Sequence, residues 1–215
     1  MRISIVGFLL FCAVSVNAQS LRFQFPSEMW HVGDVVLTDG NKLEGTIKYD
    51  VLGDVIQIDL DEKIQTFAAN QIQQFRIFQE DIARYRVFYT IPFLNKNGYR
   101  RPSFFELIFE GETSLLAREM ILITTRPPSD SYFSGGRRYD PYAMQRNTRI
   151  LDHDLFLMNS DGKITQLNKK RKDVIYSFDD KYIELKKIIK SNRLKMNNID
   201  DVAILVEEYN KIGDL

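Results

Sequence analysis

From residue 33 onward, apolar and polar positions alternate with a period of two. In GDVVLTDGNKLEGTIKYD, residues 33–50, Leu43, Ile47 and Tyr49 fall on one face while Glu44, Thr46, Lys48 and Asp50 take the other. That is the pattern of a strand with one side on a core. Between the two runs, Asp39-Gly40 predicts a tight hairpin turn, because Gly meets the positive φ of such a turn without steric cost. DVIQIDL continues the alternation with Ile56, Ile58 and Leu60 on one side, Asp61-Glu62 turns the chain, and KIQTFA follows. AANQIQQFRIF reads as one helical turn and then a strand carrying Phe75 and Ile77. Five short strands with tight turns fit a small SH3-like or Sm-like barrel, and an open curled sheet nearly as well.

Beyond residue 83 the alternation lengthens. Tyr85, Val87, Tyr89, Ile91 and Phe93 share a face, opposite Arg84, Arg86 and Thr90. SFFELIFEGETSLLAREMILIT reads as a hairpin about Glu110-Gly111, with Phe105, Leu107 and Phe109 on one side of its first strand; DLFLMN turns at Ser160-Asp161-Gly162 into KITQL. Residues 126–149 show no periodicity and are rich in Pro, Gly, Ser, Arg and Tyr, so they read as a long loop of the kind that is either functional or disordered. After residue 169 the spacing turns helical: Tyr182, Leu185, Ile188 and Ile189 make one stripe, and Val202, Leu205, Val206 and Tyr209 a second, both read as packing faces. Asn198 is a good N-cap for the last helix, with Asp201 three residues on. The expected fold is α+β and mostly β: an N-terminal small SH3-like or antiparallel β region, a further antiparallel sheet, and two C-terminal helices. The boundaries expected are a leader at 1–18, a small barrel or curled sheet at 19–80, a sheet region with the loop 126–149 at 81–168, and a helical region at 169–215.

The first eighteen residues stand apart. A positive Met1-Arg2, an apolar run from Ile3 to Val16 and small residues in Val16-Asn17-Ala18 make a secretory signal pattern, with cleavage expected after Ala18. The run is short of the ~20 residues that span a bilayer. Cys12 is the single cysteine and lies within this leader, preceded by Phe11 instead of the small residue a lipid-anchor signal would carry. Without it the chain has no disulfide, no cysteine nucleophile and no thiolate metal site, which suits an oxidising compartment.

Three stretches carry a resemblance: the leader followed by GDVVLTDGNKLEGTIKYD, then FLMNSDGKITQLNKKRKDVIYSFDD, then the ending IELKKIIKSNRLKMNNIDDVAILVEEYNKI. Together they resemble a family of uncharacterised exported proteins of Bacteroidetes-type bacteria, a domain of unknown function. The resemblance implies export and a strand hairpin leading to a basic turn, a helix and a last helix ending in Tyr-Asn, here Tyr209-Asn210. It implies no activity and assigns no catalytic residue.

Charge and chemistry narrow the function further. The chain holds 29 Lys+Arg against 29 Asp+Glu, and removing Arg2 with the leader leaves 28 against 29. A balanced chain is no general polyanion binder, so nucleic acid is not expected as a partner, and no second apolar stretch is long enough for a membrane span. His31 and His153 are the two histidines. In Asp152-His153-Asp154 the carboxylates alternate away from the imidazole in a strand, so the three do not converge on a metal. Asp59-Leu60-Asp61-Glu62 lacks the Gly and distal Glu of a calcium loop. No phosphate-binding, dinucleotide, nucleophile-elbow or zinc-protease motif is present, and neither catalytic residues nor cofactors are expected. The loop 126–149 is the candidate binding element. Arg126, Arg137, Arg138, Arg146 and Arg149 outnumber Asp130 and Asp140, giving +3, with Tyr132, Phe133, Tyr139 and Tyr142 interleaved. Arg and Tyr are enriched at interface hot spots, which singles out Arg137, Arg138, Tyr139 and Tyr142 for an envelope protein or an anionic glycan. Lys169-Lys170-Arg171-Lys172 is a second basic run, read as capping the turn between the last hairpin and the helices, with contact to anionic lipid heads as the alternative. The chain thus reads as an exported, non-catalytic β-rich protein of the periplasm or cell surface, a protein- or glycan-interaction module. The alternatives are a carboxylate-dependent hydrolase or carbohydrate-active protein, and a structural envelope component that pairs through a strand edge.

Overall fold

A computed structural model of the chain describes residues 25–50, 52–94, 98–126, 146–168, 170–178 and 181–213. Ten strands form one antiparallel sheet: β1 (His31–Leu37), β2 (Lys42–Asp50), β3 (Val55–Leu60), β4 (Lys63–Ala68), β5 (Ile72–Gln79), β6 (Arg84–Leu94), β7 (Arg100–Phe109), β8 (Ser114–Arg126), β9 (Arg146–Met158) and β10 (Ile164–Leu167). Three helices follow: α1 (Arg171–Tyr176), α2 (Tyr182–Ser191) and α3 (Ile199–Gly213). The strand order is β10-β9-β8-β7-β6-β5-β1-β2-β3-β4. β5 returns beside β1 after a 3₁₀ turn at Ala69–Gln71, and the ladder runs on through β6 instead of closing. Of the two forms the strand pattern allows, the open curled sheet is the one adopted.

The curl is built into the first hairpin. Gly33 and Gly45 are cross-strand partners. A Cβ on Gly33 would lie 2.0 Å from the Arg76 carbonyl oxygen, and one on Gly45 2.3 Å from that of Asp59, so neither position admits a side chain. The close approach lets β5, β1, β2 and β3 coil tightly. The turn joining β1 to β2 differs from the tight form expected. It takes three residues, with Leu37 N–H bonding to Asn41 O, and only Gly40 (φ +87°) is left-handed.

Ile47, Tyr49, Ile56, Ile58, Phe75 and Ile77 fill the inner side, as their alternation predicts, joined by Val35, with Leu43 and Leu60 partly buried beside them. Phe88 and Phe104 complete this core, so β6 turns its Arg86–Phe88 face inward while Ile91 and Phe93 pack on the opposite side. That corrects the expected face of β6: Tyr85 is exposed and Arg86 is buried. β7–β9 are covered on both faces. Phe105, Leu116 and Phe156 form a small cluster with Phe93, whose rings meet edge to face. Leu115, Ala117, Leu155 and Leu157 pack instead against the helices.

The sheet splits between β7 and β8. They pair only at Glu106–Ala117, Leu107–Leu116 and Phe109–Leu115. Beyond that point the β2–β3 turn wedges in through Asp54, a buried residue at φ +52°. Its carboxylate accepts from Phe104 N–H at 3.0 Å, Ser103 Oγ at 3.1 Å, Arg118 at 2.9 Å and Arg101 at 3.0 Å. A backbone N–H that β8 no longer serves is thus satisfied by a side chain.

Both helical stripes pack on the sheet through Leu185, Ile189, Val202, Leu205 and Val206. The Asn198 Oδ1 accepts from Asp201 N–H at 3.0 Å, the N-cap expected, while the Asp201 carboxylate takes Lys195 N–H at 2.8 Å. α1 is an additional element: the basic run expected as a turn begins a six-residue helix at its N-cap, Lys170. Among the described residues no helix is long and apolar enough to cross a membrane.

Candidate functional site

Six strands each send one side chain to a buried polar cluster centred on Arg86. Its Nε and Nη2 donate to Glu106 at 2.8 and 2.5 Å, Nη2 donates also to Glu119, and Nη1 donates to Tyr49 Oη at 3.0 Å and Gln79 Oε1 at 3.3 Å. Tyr49 in turn donates to Glu119 at 2.9 Å. His153, facing Glu119 across the β8–β9 ladder, places Nε2 3.9 Å from it. Arg86, Glu106, Glu119 and Tyr49 are all at most 5% exposed. Burial pushes the Tyr49 phenol well above its ordinary value, helped by Glu119 against Arg86, so it remains a donor. Burial alone would lower Arg86, but the hydrogen bonds and charge of Glu106, with Tyr49 and Glu119, raise it. All five guanidinium N–H groups are therefore in use, and none is left for a substrate. The cluster ties the two halves of the curled sheet together.

Sequence reading passed over these residues because Arg86 alternates with aromatics on an apparently polar face. The available signal was Glu106 in SFFELIF and Glu119 in LLAREMILI, carboxylates interrupting otherwise apolar strands. His31, by contrast, is a buried histidine whose Nε2 lies 2.7 Å from the Pro26 carbonyl.

The candidate loop is shorter than expected. β8 and β9 pair in thirteen steps from Ser114–Met158 to Arg126–Arg146, so residue 126 and residues 146–149 are strand. Thr148 suits a β ladder that the Arg content obscured. Arg149 is committed elsewhere: it pairs with Glu28 at 2.6 Å and covers the Phe25 ring at 5.0 Å. That pairing, with the Phe25 N–H, holds the Glu28 carboxyl below its ordinary value. Residues 127–145 keep Arg137 and Arg138 against Asp130 and Asp140, so the expected +3 becomes zero while Tyr132, Phe133, Tyr139 and Tyr142 remain. The four singled-out residues, Arg137, Arg138, Tyr139 and Tyr142, lie outside the described residues, as does the leader at 1–18.

From residue 118 to residue 126, β8 is bonded to β9 alone, forming a two-stranded ribbon. Its base meets β2 through Tyr49 of the polar cluster and residues 26–28 through Glu28–Arg149. Further out, Leu122, Ile123 and Ile150 are 40, 67 and 46% exposed.

Three surface hollows accompany these features. One of about 640 Å³ on the convex side of β1–β3 is acidic, with Asp34, Glu44, Asp59, Asp61 and Glu62 against Lys42 and Arg76. Asp34 there is held by Arg76 at 2.7 and 2.9 Å. A second of about 600 Å³ lies by the β1–β2 turn near Pro92 and Pro102. A third of about 380 Å³ lies in the seam between β2–β4, residues 27–28 and the ribbon. Among the described residues no group of three His, Cys, Asp or Glu side chains is placed to hold a metal.

Compared with models of protein families, with curated proteins and with solved structures, the chain matches none.

Proposed function

We propose that the chain is an exported, non-catalytic module of the cell envelope that binds a protein partner through residues 127–145, with Arg137, Arg138, Tyr139 and Tyr142 at the contact. The observation that carries this reading is the β8–β9 ribbon. It continues past β7 for nine further register steps, roughly 30 Å of strand, and ends on the Arg126–Arg146 pair that brackets the segment. A segment of zero net charge with four aromatics favours a protein surface over an anionic glycan. The leader pattern and the family resemblance support export. Hydrolysis by paired carboxylates is disfavoured because Glu106, Glu119 and Asp54 are each taken up by guanidinium or backbone N–H groups. The strand-edge reading has two end strands to act through, the four-residue β10 and β4; β4 bonds only to β3 and carries Ile64 at 59% exposure.

The test replaces residues 127–145 with an Asn-Gly turn, which suits the two-residue connection that Arg126–Arg146 pairing allows. Intact and shortened proteins, matched by circular dichroism, are used to capture partners from envelope extract. The expected result is a partner held by the intact protein and lost from the shortened one. The same partner held equally by both would overturn the proposal and move attention to the β4 edge.

A further inference from the structure

The outer face of α2 carries cations that the fold does not use. Ile183, Lys186, Lys187 and Lys190 recur at i, i+3, i+4 and i+7, so they share one side of the helix, and all four are exposed. Leu185 and Ile189 are buried on the side that packs into the core. None of the three ammonium groups, nor the exposed Arg193 and Lys195 beyond them, has a side-chain hydrogen bond or ion pair among the described residues. On α3, by contrast, Lys211 is held by Glu207 and Glu208 at 2.8 and 2.9 Å. Glu184 is the one carboxylate against five cations over residues 183–195. Lys186–Lys190 and Lys187–Lys190 are like-charge pairs at helical neighbour spacing, which weaken a helix, so the stripe does not serve the fold.

The side chains around the lysines select the ligand class. Lys is a point charge without the planar fork that reads a single carboxylate or phosphate, so a row of lysines fits a surface of diffuse negative charge. The three hollows described above are lined by other elements. Ile183 narrows the choice: it is 55% exposed and sits in the middle of the lysine stripe. Tyr176, 58% exposed, stacks on Tyr182 at the start of the same helix with ring centroids 5.7 Å apart. A soluble polyanion offers isoleucine nothing, whereas a bilayer offers an apolar layer beneath its charged headgroups, and tyrosine settles at that boundary. From this we propose that the outer face of α2 docks on a bilayer bearing anionic phospholipids, with Lys186, Lys187 and Lys190 on the headgroups and Ile183 set between them into the acyl boundary. The site does not rest on the reading of residues 127–145, and the protein carrying the Asn-Gly replacement keeps α2, so either proposal fails alone.

The test is vesicle flotation with residues 19–215, the chain expected after cleavage, so that the apolar leader adds no lipid affinity of its own. The probes are vesicles of phosphatidylcholine alone, vesicles of phosphatidylcholine mixed with phosphatidylglycerol, and dextran sulfate as a soluble polyanion. Binding is expected to the mixed vesicles only, weakening as salt is added. Each Lys→Gln change at 186, 187 or 190 is expected to weaken it roughly fivefold, and the triple variant about a hundredfold. Ile183→Ser is expected to weaken vesicle binding about fivefold while leaving any binding of dextran sulfate unchanged. All four positions are exposed, so the variants are expected to melt with the natural chain. The proposal is overturned if the mixed vesicles are not bound, if neutral vesicles are bound equally well, or if the triple variant binds undiminished. It is overturned too if Ile183→Ser leaves vesicle binding unchanged, which would make α2 a site for soluble polyanions.

Discussion

The side-chain amide of Asn210 meets Thr113 as a neighbouring strand would. Its Oδ1 accepts from the Thr113 N–H at 2.8 Å, and its Nδ2 donates to the Thr113 carbonyl at 2.9 Å and to Val206 O at 2.8 Å. The end of α3 is thereby fastened to the turn between β7 and β8. Gly111 belongs to the same fit, since a Cβ there would come within 3.0 Å of Asn210 Nδ2 and 2.9 Å of the Phe109 ring. The Tyr-Asn ending noted in the sequence has a physical meaning that spacing could not supply, because its partner is ninety-seven residues away. Asn210→Asp keeps the shape but sets a carboxylate oxygen against two carbonyls. We expect a loss of about 2–4 kcal/mol in urea unfolding, where an unsatisfied buried group and a lost pair of hydrogen bonds add. A change under half a kcal/mol would show the clamp to be incidental.

At the scale of elements, the first hairpin shows why this sheet curls. The backbone oxygens of Arg76 and Asp59 occupy the space a Cβ on Gly33 or Gly45 would need. Gly45→Ala must therefore push β2 from β3, at an expected cost of about 2 kcal/mol or more, read as a lowered melting temperature. The exposed neighbour Glu44→Ala should change it little, because its pairing with Lys42 is solvent-screened. Equal melting temperatures for the two variants would refute this account of the curl.

Elements whose burial is one-sided were legible. The alternation of β2, β3 and β5 named Ile47, Tyr49, Ile56, Ile58, Phe75 and Ile77 as core, and the helical stripes named Leu185, Ile189, Val202 and Val206. β6 was not legible, because its inward Arg86 is neutralised by Glu106 and Glu119, twenty and thirty-three residues on in sequence. The ribbon was hidden for a related reason: arginines at its end raised the apparent loop charge, although residues 146–149 continue a strand. Of the candidate site, the sequence offered residue types but not their setting. Glu106 and Glu119 stand out as carboxylates in apolar strands, but nothing local shows that both reach Arg86.

Across the whole molecule, one continuous ladder carries three separate cores, and polar pins hold its parts in place. Asp54 fixes the split between β7 and β8, Asn210 fixes the last helix, and Arg86 joins the two sides of the curl. The buried charges are structural: Arg86, Glu106 and Glu119 neutralise one another, and Asp54 is taken up by guanidinium and backbone N–H groups. A buried ion cluster of this kind has a recognisable signature. Removing one member strands the rest, whereas replacing all of them with apolar groups removes the desolvation cost as well.

The measurement that tests this most directly is urea unfolding of Arg86→Met beside a quadruple variant, Arg86→Met with Glu106→Met, Glu119→Leu and Tyr49→Phe. The single change is expected to lose about 3–5 kcal/mol, because two carboxylates remain buried without their guanidinium. The quadruple variant is expected to return to within about 1 kcal/mol of the natural chain or to exceed it. An Arg86→Met protein as stable as the natural one would contradict the claim, and so would a quadruple variant no more stable than the single.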